Sequence, residues 1–237
     1  MRGGRIVVSS CALAALAVLA AVCAGCRDDA DDKANQRVTF GHAPASHGRI
    51  PVPETGHGAL DGAHWPDSCR FLTDADIRAI LPETEKVRRE PMRITANLNG
   101  RSHPRNFARA GECWMDLSLR GGTVGKAQAV MKVKIEAVGG PHLISRRYAK
   151  EKSHPVNARD PEMRRDYGSR LGPDACFVIP GTLDGTVMCR QGPMLYRVSG
   201  GCYCDIGAQP NTVTRRQVIW INKVLGPAAK TIAAKIA

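Results

Sequence analysis

The chain has 237 residues, with 34 Lys and Arg against 22 Asp and Glu, a formal charge of +12 and a pI near 9.6. Hydrophobic residues make up 43% and charged ones 24%, which excludes a disordered polymer and a polytopic membrane protein. Nine cysteines exceed what a cytosolic protein of this size ordinarily carries unless they bind metal.

Arg2 and Arg5 precede a charge-free run from Ile6 to Gly25, mostly Ala, Val and Leu, the n-region and h-region of an export signal. The run ends Val22-Cys23-Ala24-Gly25-Cys26. This resembles a bacterial lipobox, with Cys23 at the place usually held by Leu or Val. The resemblance implies that residues 1–25 are removed and that Cys26 is diacylated. Membrane lipid would then hold the chain at the outer face of the cell membrane, with enough acyl chains for stable anchoring. Two other readings remain: an uncleaved anchor, since about 20 apolar residues span a bilayer, and a secretory signal without lipidation. Cysteine parity favours the lipobox. Losing Cys11 and Cys23 with the signal and Cys26 to lipid leaves Cys69, Cys113, Cys176, Cys189, Cys202 and Cys204, an even number that suits an oxidised exported domain.

Residues 26–64 open with Arg27-Asp28-Asp29-Ala30-Asp31-Asp32-Lys33 and continue rich in Gly, His and Pro. So little apolar area cannot offset the entropy of ordering, which predicts a flexible polar linker after the lipidated cysteine, with a reach of roughly 30–40 Å. His42, His47, His57 and His64 fall at spacings of five, ten and seven, which give no regular ligand geometry.

Residues 65–237 have the composition of a globular domain, long enough to bury roughly 70% of the unfolded chain's surface. Thr73 as N-cap, with Asp76 three residues on, opens a short helix whose buried stripe is Ile77, Ile80 and Leu81. Residues 113–119 alternate, with Cys113, Met115, Leu117 and Leu119 on one face. Residues 127–137 have helical propensity, but Ala129, Met131, Val133, Ile135 and Ala137 recur with period two, which predicts a strand. Short helices are predicted over 142–152 and 162–167. Strands at 175–179, 186–190 and 194–199, punctuated by glycine and proline, predict an antiparallel meander. A helix starts near 214, and Pro227 restarts a second helical piece over 228–235. The sum is α+β, a largely antiparallel sheet with helices packed on one side.

The segment Pro66-Asp67-Ser68-Cys69-Arg70-Phe71-Leu72-Thr73-Asp74-Ala75-Asp76-Ile77, together with Glu112-Cys113-Trp114 at a strand start, resembles the opening and second hallmark of actinobacterial cell-envelope lipoproteins of unknown function. The resemblance extends through most of residues 65–237 and implies no known enzymatic activity. Cys176, Cys189, Cys202 and Cys204 depart from the family's common pair.

Cys69 before the first helix and Cys113 at a core strand predict a disulfide closing a loop of about 45 residues. If Val178 opposes Val187 across the 180–185 turn, Cys176 opposes Cys189, since both pairs sum to 365. Cys202 and Cys204 would then pair with each other. Crossing both to Cys176 and Cys189 remains open, because four cysteines allow three pairings. A sharper reading takes Cys202-Tyr203-Cys204 as a redox-active dithiol, or as a copper site with Met188 or Met194 nearby.

Residues 65–237 hold 28 basic and 16 acidic residues, with clusters at Arg88-Arg89, at Arg101, Arg105 and Arg109, at Arg146-Arg147 with Lys150 and Lys152, and at Arg164-Arg165 and Arg215-Arg216. Export and an aromatic content of 5% argue against nucleic acid. Anionic lipid or an acidic wall polymer is the polyanion a basic face would meet outside the cell. No nucleophile-elbow, zinc-protease or P-loop motif is present, and nothing in the sequence asks for a cofactor. Ser102-His103-Pro104 and Ser153-His154-Pro155 read as loops. The expected function is a non-catalytic, membrane-anchored domain that binds an envelope ligand or partner. The alternative is an extracytoplasmic thiol-redox or copper-handling protein using Cys202 and Cys204.

Overall fold

The computed structural model describes residues 37–45, 48–53, 55–56, 58–95, 107–121, 128–154, 166–179, 185–207 and 213–236. Cys26, the signal segment and the start of the linker lie outside the described residues, as do His47, His57, Arg101, His103, Arg105, Arg164 and Arg165. Among the described residues no helix is long and apolar enough to cross a membrane.

Seven antiparallel strands form one sheet in the order β1-β2-β3-β7-β6-β5-β4. They are β1 (Thr84–Thr95), β2 (Phe107–Leu119), β3 (Ala129–Val138), β4 (Asp166–Gly168), β5 (Ala175–Val178), β6 (Gly185–Gln191) and β7 (Met194–Cys202). The helices are α1 (Asp74–Ile80), α2 (Pro141–Ser153), α3 (Val213–Trp220) and α4 (Gly226–Ile236). After β3 the chain crosses through α2 to the far edge of the sheet and winds back strand by strand until β7 pairs with β3.

The period-two pattern does what strand geometry requires. Cys113, Met115 and Leu117 of β2, and Met131, Val133 and Ile135 of β3, are buried against α1, α3 and α4, while Trp114, Lys132 and Lys134 point to the opposite face. One helix lies on that opposite face. Ile144 and Tyr148 of α2 pack on Ala137, Phe177, Met188 and Leu195, with the Tyr148 and Phe177 rings edge to face at 5.3 Å. Helix α1 carries the predicted capping box: the Asp76 amide donates to Thr73 Oγ1, and the Thr73 amide donates to Asp76 Oδ2.

Two expectations need correction, and one strand was missed. Residues 162–167 do not form a helix through Tyr167, because Asp166–Gly168 is a short strand paired with β5. Pro227 stands second in α4, the expected second helical piece. It has no amide hydrogen to donate, and the chain accommodates it by a π-turn over Ile221–Leu225, where the Gly226 amide reaches back to the Ile221 carbonyl. Strand β1 was not anticipated. The second correction concerns the linker, whose described residues from Arg37 onward pack against the domain as a strap. Val38 and Ile50 are buried, and the amides of Val38, Gly41, Ile50 and Leu60 donate to the carbonyls of Asp205, Ile80, Lys235 and Val138. Backbone hydrogen bonds to the domain add to the few apolar contacts of this segment.

Disulfides join Cys69 to Cys113 (Cα–Cα 4.9 Å) and Cys176 to Cys189 (Cα–Cα 4.1 Å). The register that predicted the second is the one observed, with Cys176 opposite Cys189 and Val178 opposite Val187. By loop entropy the two links are worth about 4 and about 3 kcal/mol. Deeper in the core, Lys235 of α4 donates from Nζ to Asp76 Oδ2 at 2.5 Å and to the Phe71 carbonyl at 3.1 Å. Both side chains are nearly sealed, at 3% and 5% exposed.

Candidate functional site

The sheet ends at Gly200-Gly201-Cys202, where β7 runs between β3 and β6. Gly200 has φ near +149°, and a Cβ there would collide with the Val130 carbonyl, so no larger residue fits without moving β3. Its partner across the ladder is Gly185, where a Cβ would meet Ile221 Cγ1 at 2.9 Å. Gly185 lets the helical layer descend on the strand ends, Gly200 lets β7 approach β3, and a cleft opens beside them.

The cleft has a volume of about 500 Å³ and lies between the end of β7 and helix α3. Trp220, 2% exposed, forms an apolar wall with Ile206 and Val213. The Trp220 indole N–H has no hydrogen-bond partner among the described residues, and such a buried donor is costly to leave unmatched. Val213 (60% exposed) and Tyr203 (86% exposed) stand at the rim, unusual positions for large apolar bodies.

Cys202 lines the same cleft and is joined to Cys204, the third cysteine pair. Arg216 of α3 donates from Nη2 to both the Cys202 carbonyl (2.8 Å) and the Cys204 carbonyl (2.9 Å), fastening the bend to the helix. The Tyr203 amide donates to the Gln128 carbonyl, and the Cys204 amide donates to Cys202 Sγ at 3.0 Å. The three pairs thus differ in setting. Cys176 and Cys189 are fully buried and half-buried Cys69 is joined to fully buried Cys113, whereas Cys202 and Cys204 are both half-buried.

The copper reading loses its methionines. Met188 faces α2 on the other side of the sheet, and Met194 begins β7 at the end remote from Cys202. Among the described residues no group of three or more His, Cys, Asp or Glu side chains is placed to hold a metal ion. The basic clusters are also divided by the fold. Arg89 pairs with Asp74 and the Leu72 carbonyl, while Arg88 lies opposite Asp116 on the next strand. Lys152 pairs with Asp166, and Arg146 and Lys150 remain exposed on α2. A second cavity, of about 430 Å³, is lined by Asp61, Arg93, Phe107 and Arg109, with the Arg93 guanidinium 3.7 Å above the Phe107 ring. His154 sits exposed at the end of α2.

Trp220, Arg216, Gly185 and Gly200 were not singled out by the sequence as site residues. The Gly200-Gly201 pair directly before Cys202 was the usable signal, since glycines inside a strand mark a close approach. No protein-family model, curated protein or solved structure matches this chain.

Proposed function

We propose that the chain is an envelope lipoprotein, held at the outer face of the cell membrane by acylated Cys26, whose α+β domain binds a ligand in the cleft between β7 and α3. The anchoring half of this reading rests on the Ala24-Gly25-Cys26 ending of the apolar run. The binding half rests on one observation: a cleft of ligand size walled by Trp220, whose buried indole donor has no partner among the described residues. A bound molecule with an apolar body would pack against the wall formed by Trp220, Ile206 and Val213. Among the described residues the cleft is lined by glycines, apolar side chains, Arg216 and Gln217, a lining suited to retaining a ligand.

Titration with the apolar fluorophore 1-anilinonaphthalene-8-sulfonate tests the cleft. Saturable binding that Val213→Trp abolishes, with unfolding unchanged, supports it; binding unaffected by that substitution refutes it. Metabolic labelling with an alkyne fatty acid tests the anchor, which requires that Cys26→Ser lose the label and leave the membrane fraction. The domain's excess of basic residues supports attraction to anionic lipid. Equal binding to anionic and neutral vesicles at low salt would remove that part.

A further inference from the structure

We propose that Cys202–Cys204 is a thiol–disulfide exchange site, opened by an external dithiol while the other two disulfides stay closed. The proposal goes beyond the ligand reading and does not depend on any molecule occupying the cleft.

Three features set this pair apart. It links residues two apart in sequence, so of the three it removes the least freedom from the unfolded chain and contributes least as a brace. Opening it leaves the Cys69–Cys113 and Cys176–Cys189 links and the whole sheet in place. Cys202 also lines the cleft, and both cysteines are half-buried on either side of the 86% exposed Tyr203, where another molecule can reach them. Finally, its surroundings are unequal. The Cys204 amide donates to Cys202 Sγ, and Arg216 holds its guanidinium against the carbonyls of both cysteines. Arg216 serves both residues alike, so it is the amide donor that favours a thiolate left on Cys202.

These features fix a direction for the step. A thiolate of the incoming dithiol attacks Cys204 Sγ, the Cys202–Cys204 bond breaks, and its electron pair departs on Cys202 beside the Cys204 amide and Arg216. A mixed disulfide now joins Cys204 to the partner. The partner's second thiol attacks its own mixed-disulfide sulfur and releases Cys204. The net transfer is two electrons and two protons, with the partner oxidised to a disulfide and Cys202 and Cys204 reduced to thiols. The partner class is a protein bearing a Cys-x-x-Cys dithiol, for which dithiothreitol is a minimal substitute.

The test treats the folded, oxidised protein with graded dithiothreitol at neutral pH, quenches with iodoacetamide and maps alkylated peptides by mass spectrometry. Cys202 and Cys204 are expected to be labelled together at the lowest concentrations, with Cys69, Cys113, Cys176 and Cys189 still paired. Simultaneous or later opening of the Cys202–Cys204 link overturns the proposal. Direction is read from single-thiol variants. In Cys204→Ser the remaining Cys202 is expected to alkylate faster than Cys204 does in Cys202→Ser. Equal rates overturn the directed attack. Circular dichroism and the pairing of the other four cysteines confirm that each variant is folded, and fluorophore binding to Cys202→Ser shows separately whether the cleft reading stands.

Discussion

Replacing Lys235 by Met isolates the buried contact between the two ends of the domain. Lys235 bridges α4 to the α1 cap, with Asp76 Oδ2 at 2.5 Å and the Phe71 carbonyl at 3.1 Å, and neither charged side chain is more than 5% exposed. Methionine keeps the apolar stem but strands a buried carboxylate and an acceptor. Removing one partner of a buried pair costs about 3–5 kcal/mol. Asp76 keeps two donors from Thr73, which places this case near the lower figure, about 3 kcal/mol. For a domain of this size that lowers Tm by roughly 6–12 °C.

The effect also carries a sign in pH. Burial pushes the Asp76 carboxyl up, but the Lys235 hydrogen bond, the Thr73 backbone and hydroxyl donors and the Lys235 charge outweigh it and hold the carboxyl below the usual carboxylate value. A depressed folded value means the stabilisation is full above the unfolded carboxyl's range, near 3.9, and is lost as pH falls through the folded value. Urea unfolding of the oxidised protein, followed by circular dichroism, is expected to show the largest deficit for Lys235→Met at pH 7 and a narrowing one below about pH 4. Adding Asp76→Asn, which removes the second charge but keeps an acceptor for Thr73, is expected to recover part of the loss. A deficit under about 0.5 kcal/mol at pH 7, or one that is the same at pH 7 and pH 3, would refute the ion-pair account.

The disulfides should rank by loop length. Replacing both cysteines by alanine is expected to cost about 4 kcal/mol for Cys69–Cys113, about 3 for Cys176–Cys189 and under about 2 for Cys202–Cys204, measured by urea unfolding. A reversed order would show that native packing around the sulfurs, and not loop closure, sets their worth. A chain starting at Arg37 is expected to keep full stability, and one starting at Trp65 to lose about 3 kcal/mol or more with Val38 and Ile50 gone; indistinguishable melting curves would return residues 37–64 to the role of a loose linker. Burial, and then the Asp166 charge, push the Tyr148 hydroxyl up to about 12 against the opposing Arg190. The unfolded phenol ionises near 10, so stability should fall as pH rises from 10 towards 12, and Tyr148→Phe should soften that fall by about 1–2 kcal/mol. An unchanged alkaline melting profile would count against it.

The elements with a strong local signature were legible. The alternation through Met115 and Met131, the Thr73–Asp76 box and the summed positions of the Cys176 hairpin each encode geometry in a short stretch of chain. What escaped was held by other means. Strand β1 has no apolar alternation because most of its side chains are exposed, and Pro91 within it reads as a breaker. The 37–64 strap is fixed by backbone hydrogen bonds, which leave no trace in side-chain composition. At the cleft the cysteines could be read, but Arg216 and Trp220 arrive from a helix that only the tertiary fold brings back to Cys202.

Strand β1 has a consequence for the protein at high local density. Its outer side is the one long sheet edge without a neighbouring strand among the described residues, since the opposite edge, β4, is only three residues long. Pro91 offers no amide there, Lys86, Arg88, Glu90 and Arg93 present charge, and the register slips twice along the strand. Each feature blunts strand-to-strand zipping between copies. Molecules crowded side by side on a surface would therefore meet at an edge that repels its own kind, and would remain dispersed instead of coalescing into fibrils.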